Sequence, residues 1–153
     1  MGMEDNYGFG AIISFVLGWL LAQGGKLIGD LVRKKGHISI KEVIDCFTRS
    51  GGMPSGHTAS FVGLSTYLGW SLGFNSIIFA LAICTTIIVI YDAVNVRYAV
   101  GKQGELLNLI ADDSSKDYKK LKIVNGHTVP QVIVGAIIGA IIGTIVSHLI
   151  QSA

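Results

Sequence analysis

Four short stretches of this sequence set a cation or an imidazole at the edge of a long apolar run: Lys26, Pro54-Ser55-Gly56-His57, Arg97 and His127. Two histidines and several cations at one depth suggest the handling of an anion, most simply a phosphate. The second stretch fits that chemistry through its backbone as well. Pro54 suits the first turn of a helix. The amides of Gly56 and His57 would then point out of a helix N-terminus, a ready anion site. Gly56 would let the ligand approach the main chain closely. Whether the four stretches share one site depends on the elements that carry them.

Those elements read as membrane spans. Of 153 residues, 50% are hydrophobic and 14% charged, against roughly 25% charged in a soluble domain. Mean hydropathy is +0.57. A span needs about 20 mainly apolar residues, and four such stretches fit, at 9–32, 54–73, 76–96 and 129–150. The expectation is an all-α integral membrane bundle of about four transmembrane helices, one domain over residues 1–153. The Gly73–Ser76 link is short enough only for a turn between antiparallel helices. Gly135, Gly139 and Gly143 form a small-residue face for close helix contact, within the chain or in a homodimer. Cys46 and Cys84 match no metal spacing and sit too differently for a disulfide. Glu4 and Asp5 stand where a cleavable signal peptide would be basic.

Charge sets the expected orientation. Lys26, Arg33, Lys34, Lys35, Lys41 and Arg49 lie at or after the end of the first span. Arg97, Lys102, Lys116, Lys119, Lys120 and Lys122 lie after the third, which accounts for all 12 Lys and Arg residues. By the positive-inside rule both segments face the cytoplasm and both termini face the non-cytoplasmic side. With antiparallel spans, the four chemical stretches then meet at the cytoplasmic face.

Four segments carry a resemblance: Ala22-Gln23-Gly24-Gly25-Lys26, Gly51-Gly52-Met53-Pro54-Ser55-Gly56-His57, Tyr91-Asp92-Ala93 with Val96-Arg97, and Gly126-His127-Thr128. In this order they resemble the divergent branch of the type 2 phosphatidic acid phosphatases, relatives of the vanadium haloperoxidases. The resemblance implies that Lys26, Arg33, Ser55, Gly56 and Arg97 bind phosphate. It implies that His57 protonates the leaving group and that His127 attacks phosphorus to form a phosphohistidine, with no metal and no other cofactor. Three departures stand out. Lys34 replaces a proline, and Arg97 and His127 are thirty residues apart where the wider family has six. Gln131 stands where an acidic residue usually orients the nucleophile. An amide accepts a hydrogen bond from imidazole but does not stabilise imidazolium as a carboxylate would, which implies weaker activity unless Asp92 or another acid substitutes.

Each residue also has a plainer reading. Lys26 could snorkel from a helix end. Arg33 and Arg49 could serve topology alone, and Arg97 could pair with Asp92 at the interface. His37 and His148 read as incidental, and the run from Asp112 to Lys122 as a solvated loop. The function expected is a lipid phosphate phosphatase in a bacterial or archaeal cell membrane, acting on a phospholipid or isoprenyl phosphate. The alternative is a protein that binds or moves an anionic lipid headgroup without hydrolysis. Nucleic acid is not an expected partner, since topology explains the basic residues, which lack interleaved aromatics.

Overall fold

The computed structural model describes residues 3–48, 51–113, 120, 121, 123 and 126–152. Among these, all regular structure is helical: α1 (Met3–Arg33), α2 (Ile40–Thr48), α3 (Gly56–Leu72), α4 (Ile77–Tyr91), a π turn (Asp92–Val96), α5 (Arg97–Asp113) and α6 (Val129–Gln151). The π turn joins α4 and α5 into one continuous helix. Three helical stretches are long and apolar enough to cross a membrane: Tyr7–Arg33, Ile77–Asp112 and Val129–Gln151. The fourth expected span corresponds to α3, whose 17 residues rise about 26 Å. It is less apolar because α1, α4 and α6 surround it, so little of it needs to face lipid.

Lipid is as apolar as leucine, so helices in a bilayer associate through close packing and hydrogen bonds rather than hydrophobic burial. This chain does so with small residues. Gly10, Ser14, Gly18 and Ala22 recur every fourth position on the buried face of α1. A Cβ on Gly18 would lie 2.5 Å from the Ala59 carbonyl oxygen, and one on Gly10 2.1 Å from the Tyr67 hydroxyl. From the other side, a Cβ on Gly139 would lie 2.5 Å from the Ala59 oxygen, and one on Gly143 2.4 Å from the Gly63 oxygen. The Gly135–Gly139–Gly143 face is therefore occupied by α3 of the same chain. Hydroxyls add polar contacts between helices: Ser65 with Thr86 at 2.7 Å, Ser71 with Ser147 at 3.1 Å.

These contacts also fix the ends. Gly10 meets Tyr67 and Ser71 meets Ser147, so both chain ends lie at one end of the bundle. At the other end Gly25 meets Pro54, the Ser55 N–H donates to the Gln131 carbonyl at 3.0 Å, and the His127 N–H donates to the Ala93 carbonyl at 2.9 Å. Every described lysine and arginine belongs to this second end or the helices projecting from it.

Two segments between the expected spans also form helices. Residues 33–49 contain α2. A left-handed turn at Lys35 (φ 52°) and Gly36 (φ 84°) ends α1, and α2 runs back along it. Its start is a capping box, in which the Ser39 N–H donates to Glu42 Oε2 at 2.8 Å and the Glu42 N–H to Ser39 Oγ at 3.3 Å. That Ser-x-x-Glu pattern is visible in the sequence. Helix also continues past Arg97 as α5. Cys46 is buried, Cys84 exposed, and both are free thiols. Arg49, Lys116, Lys119 and Lys122 lie outside the described residues.

The packing generates a paired test on α1. Gly18→Ala should lower stability in detergent by about 1–3 kcal/mol, the usual effect of overpacking. A Cβ at Gly24 meets nothing within 4 Å, so Gly24→Ala should be neutral or stabilising by up to about 1 kcal/mol through helix propensity. Thermal unfolding of both variants checks this. Equal destabilisation would mean that α1 does not contact α3 through Gly18.

Candidate active site

Lys26 continues the small-residue stripe of α1 by one further step of four. Gly10, Ser14, Gly18 and Ala22 hold that face against α3, so Lys26 falls on the inner side just past the bundle, 5% exposed. It borders a cavity of about 460 Å³ with Asp30, Arg33, Gly52, Met53 and Gln131. Arg33 stands at the cavity's outer part, mostly exposed and salt-bridged to Asp30. A second cavity of about 290 Å³ lies toward α5, between Gly52, Tyr98, Lys102, Glu105, Thr128 and Gln131. Gly52 and Gln131 border both, giving a two-lobed chamber. Of the expected catalytic and phosphate-binding residues, Lys26 and Arg33 line it, while Ser55, Gly56, His57, Arg97 and His127 are not among its lining residues.

The start of α3 differs in detail from the sequence expectation. The helix begins at Gly56, not Pro54, and Ser55 is its N-cap. Ser55 is fully buried. Its Oγ accepts from the Thr58 N–H at 3.3 Å and the Thr58 hydroxyl at 2.9 Å, while its own N–H is bound to Gln131. Ser55 thus ties α3 to α6. Gly56 gives room to Trp19, whose ring carbon would lie 3.3 Å from an added Cβ. His57, the next residue, is exposed and lies within electrostatic range of Arg97, His127, Lys26 and Asp92.

The π turn places the remaining groups. In an α-helix, residues three or four apart share a face and residues five apart do not. Here the Arg97 N–H bonds back five residues to the Asp92 carbonyl, which brings Asp92 and Arg97 onto one face. Arg97 Nε donates to Asp92 Oδ2 at 2.7 Å, orienting the guanidinium and leaving its terminal nitrogens for an oxyanion. Returning from π to α register leaves one carbonyl over, a reason such turns gather at functional sites. The Ala93 carbonyl accepts the His127 N–H. Gly126 allows that approach, because a Cβ there would lie 2.4 Å from the Tyr98 nitrogen.

His127 is 4% exposed and precedes α6. Its Nδ1 lies 3.1 Å from Gln131 Oε1. The same oxygen accepts the Thr128 N–H at 3.1 Å, which fixes the oxygen end of the amide toward the ring. In the neutral ring Nδ1 must then be the donor, and Nε2 carries the lone pair. Burial pushes the imidazole below its ordinary pKa. Gln131 and the Gly52 backbone oppose this, while Lys26 and Arg97 add to it. Burial and the neighbouring cations therefore favour the neutral ring, and the Gln131 oxygen favours a proton on its Nδ1. Asp92 serves Arg97 rather than His127. His37 is exposed on the α1–α2 link and His148 sits beside Trp70 at the opposite end, both apart from this chamber. Among the described residues, no three His, Cys, Asp or Glu side chains gather as metal ligands.

The π turn and the Trp19 contact escaped the sequence reading. Nothing in Asp-Ala-Val-Asn-Val announces a π turn, although the five-residue separation of Asp92 and Arg97 is a clue once they are known to pair. The sequence matches the Divergent PAP2 family across residues 9–142. The chain belongs to that family. It is also 33% identical over 103 residues to the uncharacterized membrane protein YuiD of Bacillus subtilis (strain 168), a match covering 58% of this chain and 65% of YuiD. No solved structure matches. With its apolar helices, this divergent PAP2 protein is an integral membrane protein.

Gly126 provides the test of this geometry. Gly126→Ala should force the segment off α5, lower stability by about 1–3 kcal/mol and break the His127–Ala93 bond. Hydrogen exchange at the His127 amide should accelerate while helix content by circular dichroism is unchanged. Unaltered protection of that amide would refute the docking.

Proposed function

We propose that this divergent PAP2 protein is a membrane-embedded phosphatase for a lipid phosphomonoester or diphosphate, working at the cytoplasmic face through a phosphohistidine. The observation that carries the reading is His127: buried, fixed as the Nδ1–H tautomer by a Gln131 oxygen anchored at Thr128, with Lys26 and Arg97 in electrostatic range. In the reaction, His127 Nε2 attacks phosphorus as the bond to the leaving oxygen breaks, and His57 supplies that oxygen with a proton. Water then attacks the phosphohistidine and gives a proton to His57, releasing inorganic phosphate and restoring both rings. Lys26 and Arg97 neutralise charge developing on the equatorial oxygens, and Arg33 draws the anion toward the chamber. Phosphatidic acid, phosphatidylglycerol phosphate and isoprenyl phosphates all present the required group. No step uses a metal. The resident membrane would be that of a bacterial or archaeal cell.

A second reading is headgroup binding without hydrolysis. Gln131 favours it, because a neutral amide stabilises imidazolium less than a carboxylate does. The deciding assay is phosphate release from a panel of lipid phosphates by the purified protein, with vanadate as a mimic of the transition state. Release that is inhibited by vanadate, persists in EDTA and disappears in His127→Ala establishes the phosphatase. Headgroup binding without release establishes the alternative.

Gln131→Glu is the sharper test. The tautomer is already set, so the carboxylate adds only its charge. A hydrogen bond with a charged partner is worth about 1.5–3 kcal/mol against about 1 for a neutral one, so turnover should rise about tenfold. The pH profile should move as well. His127 must be unprotonated to attack, and burial lowers its pKa, so the acid limb of the wild-type profile should lie below about 6.5. A carboxylate at 131 favours the protonated ring, so the acid limb should shift upward. Unchanged turnover and an unchanged acid limb, with the fold intact, would show that Gln131 does not act on His127.

A further inference from the structure

α2 has features that neither the site nor the bundle requires. Its apolar residues Ile40, Val43, Ile44 and Phe47 follow helical spacing and mark one face. Part of that face docks on α1. The Phe47 ring meets Trp19 edge-on at 5.8 Å, Cys46 Sγ donates to the Gln23 carbonyl at 4.0 Å, and Gln23 Nε2 donates to the Phe47 carbonyl at 3.1 Å. The rest does not: Ile40 is 81% exposed and Ile44 58%. The last turns of α1, continuous with a membrane span, also expose Ile28 and Val32. Residues 33–48 carry four Lys or Arg against two acids. A nine-residue helix is too short to persist on propensity alone, so its surroundings must hold it.

An occupant of this surface must be apolar beneath and anionic on top. A second copy of the chain does not offer that. Among the described carboxylates at this end, Asp30, Glu42, Asp92, Glu105 and Asp112 each pair with a cation of their own chain, and Asp45 also has a partner. A bilayer surface containing anionic lipid does offer it. We infer that α2 is an interfacial helix seated in the headgroup layer of the leaflet beside the site, with Ile40 and Ile44 at the acyl boundary and Lys35 and Lys41 among anionic headgroups. The Glu42 carboxyl, held at about 2 by Lys34 and then Ser39, stays ionised at any physiological pH, so the start of α2 is capped throughout. Through Gln23, one turn before Lys26, the seated helix braces the wall of the phosphate chamber.

The test does not depend on hydrolysis, so it stands apart from the phosphatase reading. In a Cys46→Ser, Cys84→Ser background, spin labels are placed singly at positions 35, 40 and 44 in nanodiscs containing phosphatidylglycerol. Labels at 40 and 44 should collide several-fold more with oxygen than with an aqueous nickel chelate, and the label at 35 the reverse. In parallel, wild-type protein is irradiated with a lipid carrying a carbene precursor near its headgroup, and peptides from 36–48 should be modified. Aqueous accessibility at 40 and 44 with no lipid modification of the wild type overturns the inference. So does protection at 40 and 44 accompanied by cross-linking between copies, which would assign the face to a second chain.

Discussion

The backbone of α3 touches the backbones of its neighbours at several points, and the rest of the structure depends on that approach. A bilayer gives helices no hydrophobic reason to associate, so contact must come from surfaces that fit. Gly18, Gly63, Gly139 and Gly143 remove the side chains that would otherwise hold α1, α3 and α6 apart. Because the fit repeats every four residues along both α1 and α6, it also sets the register. Register decides which residues emerge past the bundle, and on α1 that residue is Lys26.

At the basic end a few polar contacts convert register into a chamber. Gln131 has three roles: its carbonyl accepts Ser55 from α3, its side-chain oxygen accepts Thr128, and the same oxygen faces His127. A carboxylate would accept the same hydrogen bonds and add a full negative charge beside the imidazole. The amide orients the ring with less electrostatic help, in a site where cations already press the imidazole toward neutrality. The π turn adds two contacts at this end, giving Ala93 to His127 and Asp92 to Arg97, which an uninterrupted α-helix would not supply.

Membrane helices, the antiparallel turn at Gly73–Ser76 and the gathering of all basic residues into two segments follow from the sequence, because hydropathy and charge act locally. So does membership of the family, a match that runs across residues 9–142. The capping box of α2 was legible too, in Ser39 and Glu42, although a basic stretch invites reading as a loop. The compartment expected on each side rests on the positive-inside rule alone.

Only the tertiary structure decided what each site residue touches. Ser55 and Gly56 read as phosphate contacts in the sequence; the fold adds that Ser55 caps α3 and ties it to α6, and that Gly56 makes room for Trp19. Asp92, a candidate partner for His127, turns to Arg97 because a π turn changes the angle between residues five apart. These outcomes depend on distances between helices and on one inserted residue in a helical turn. Residue types and spacing along the chain carry no record of either, since both arise when separate segments compete for the same hydrogen bonds and the same space.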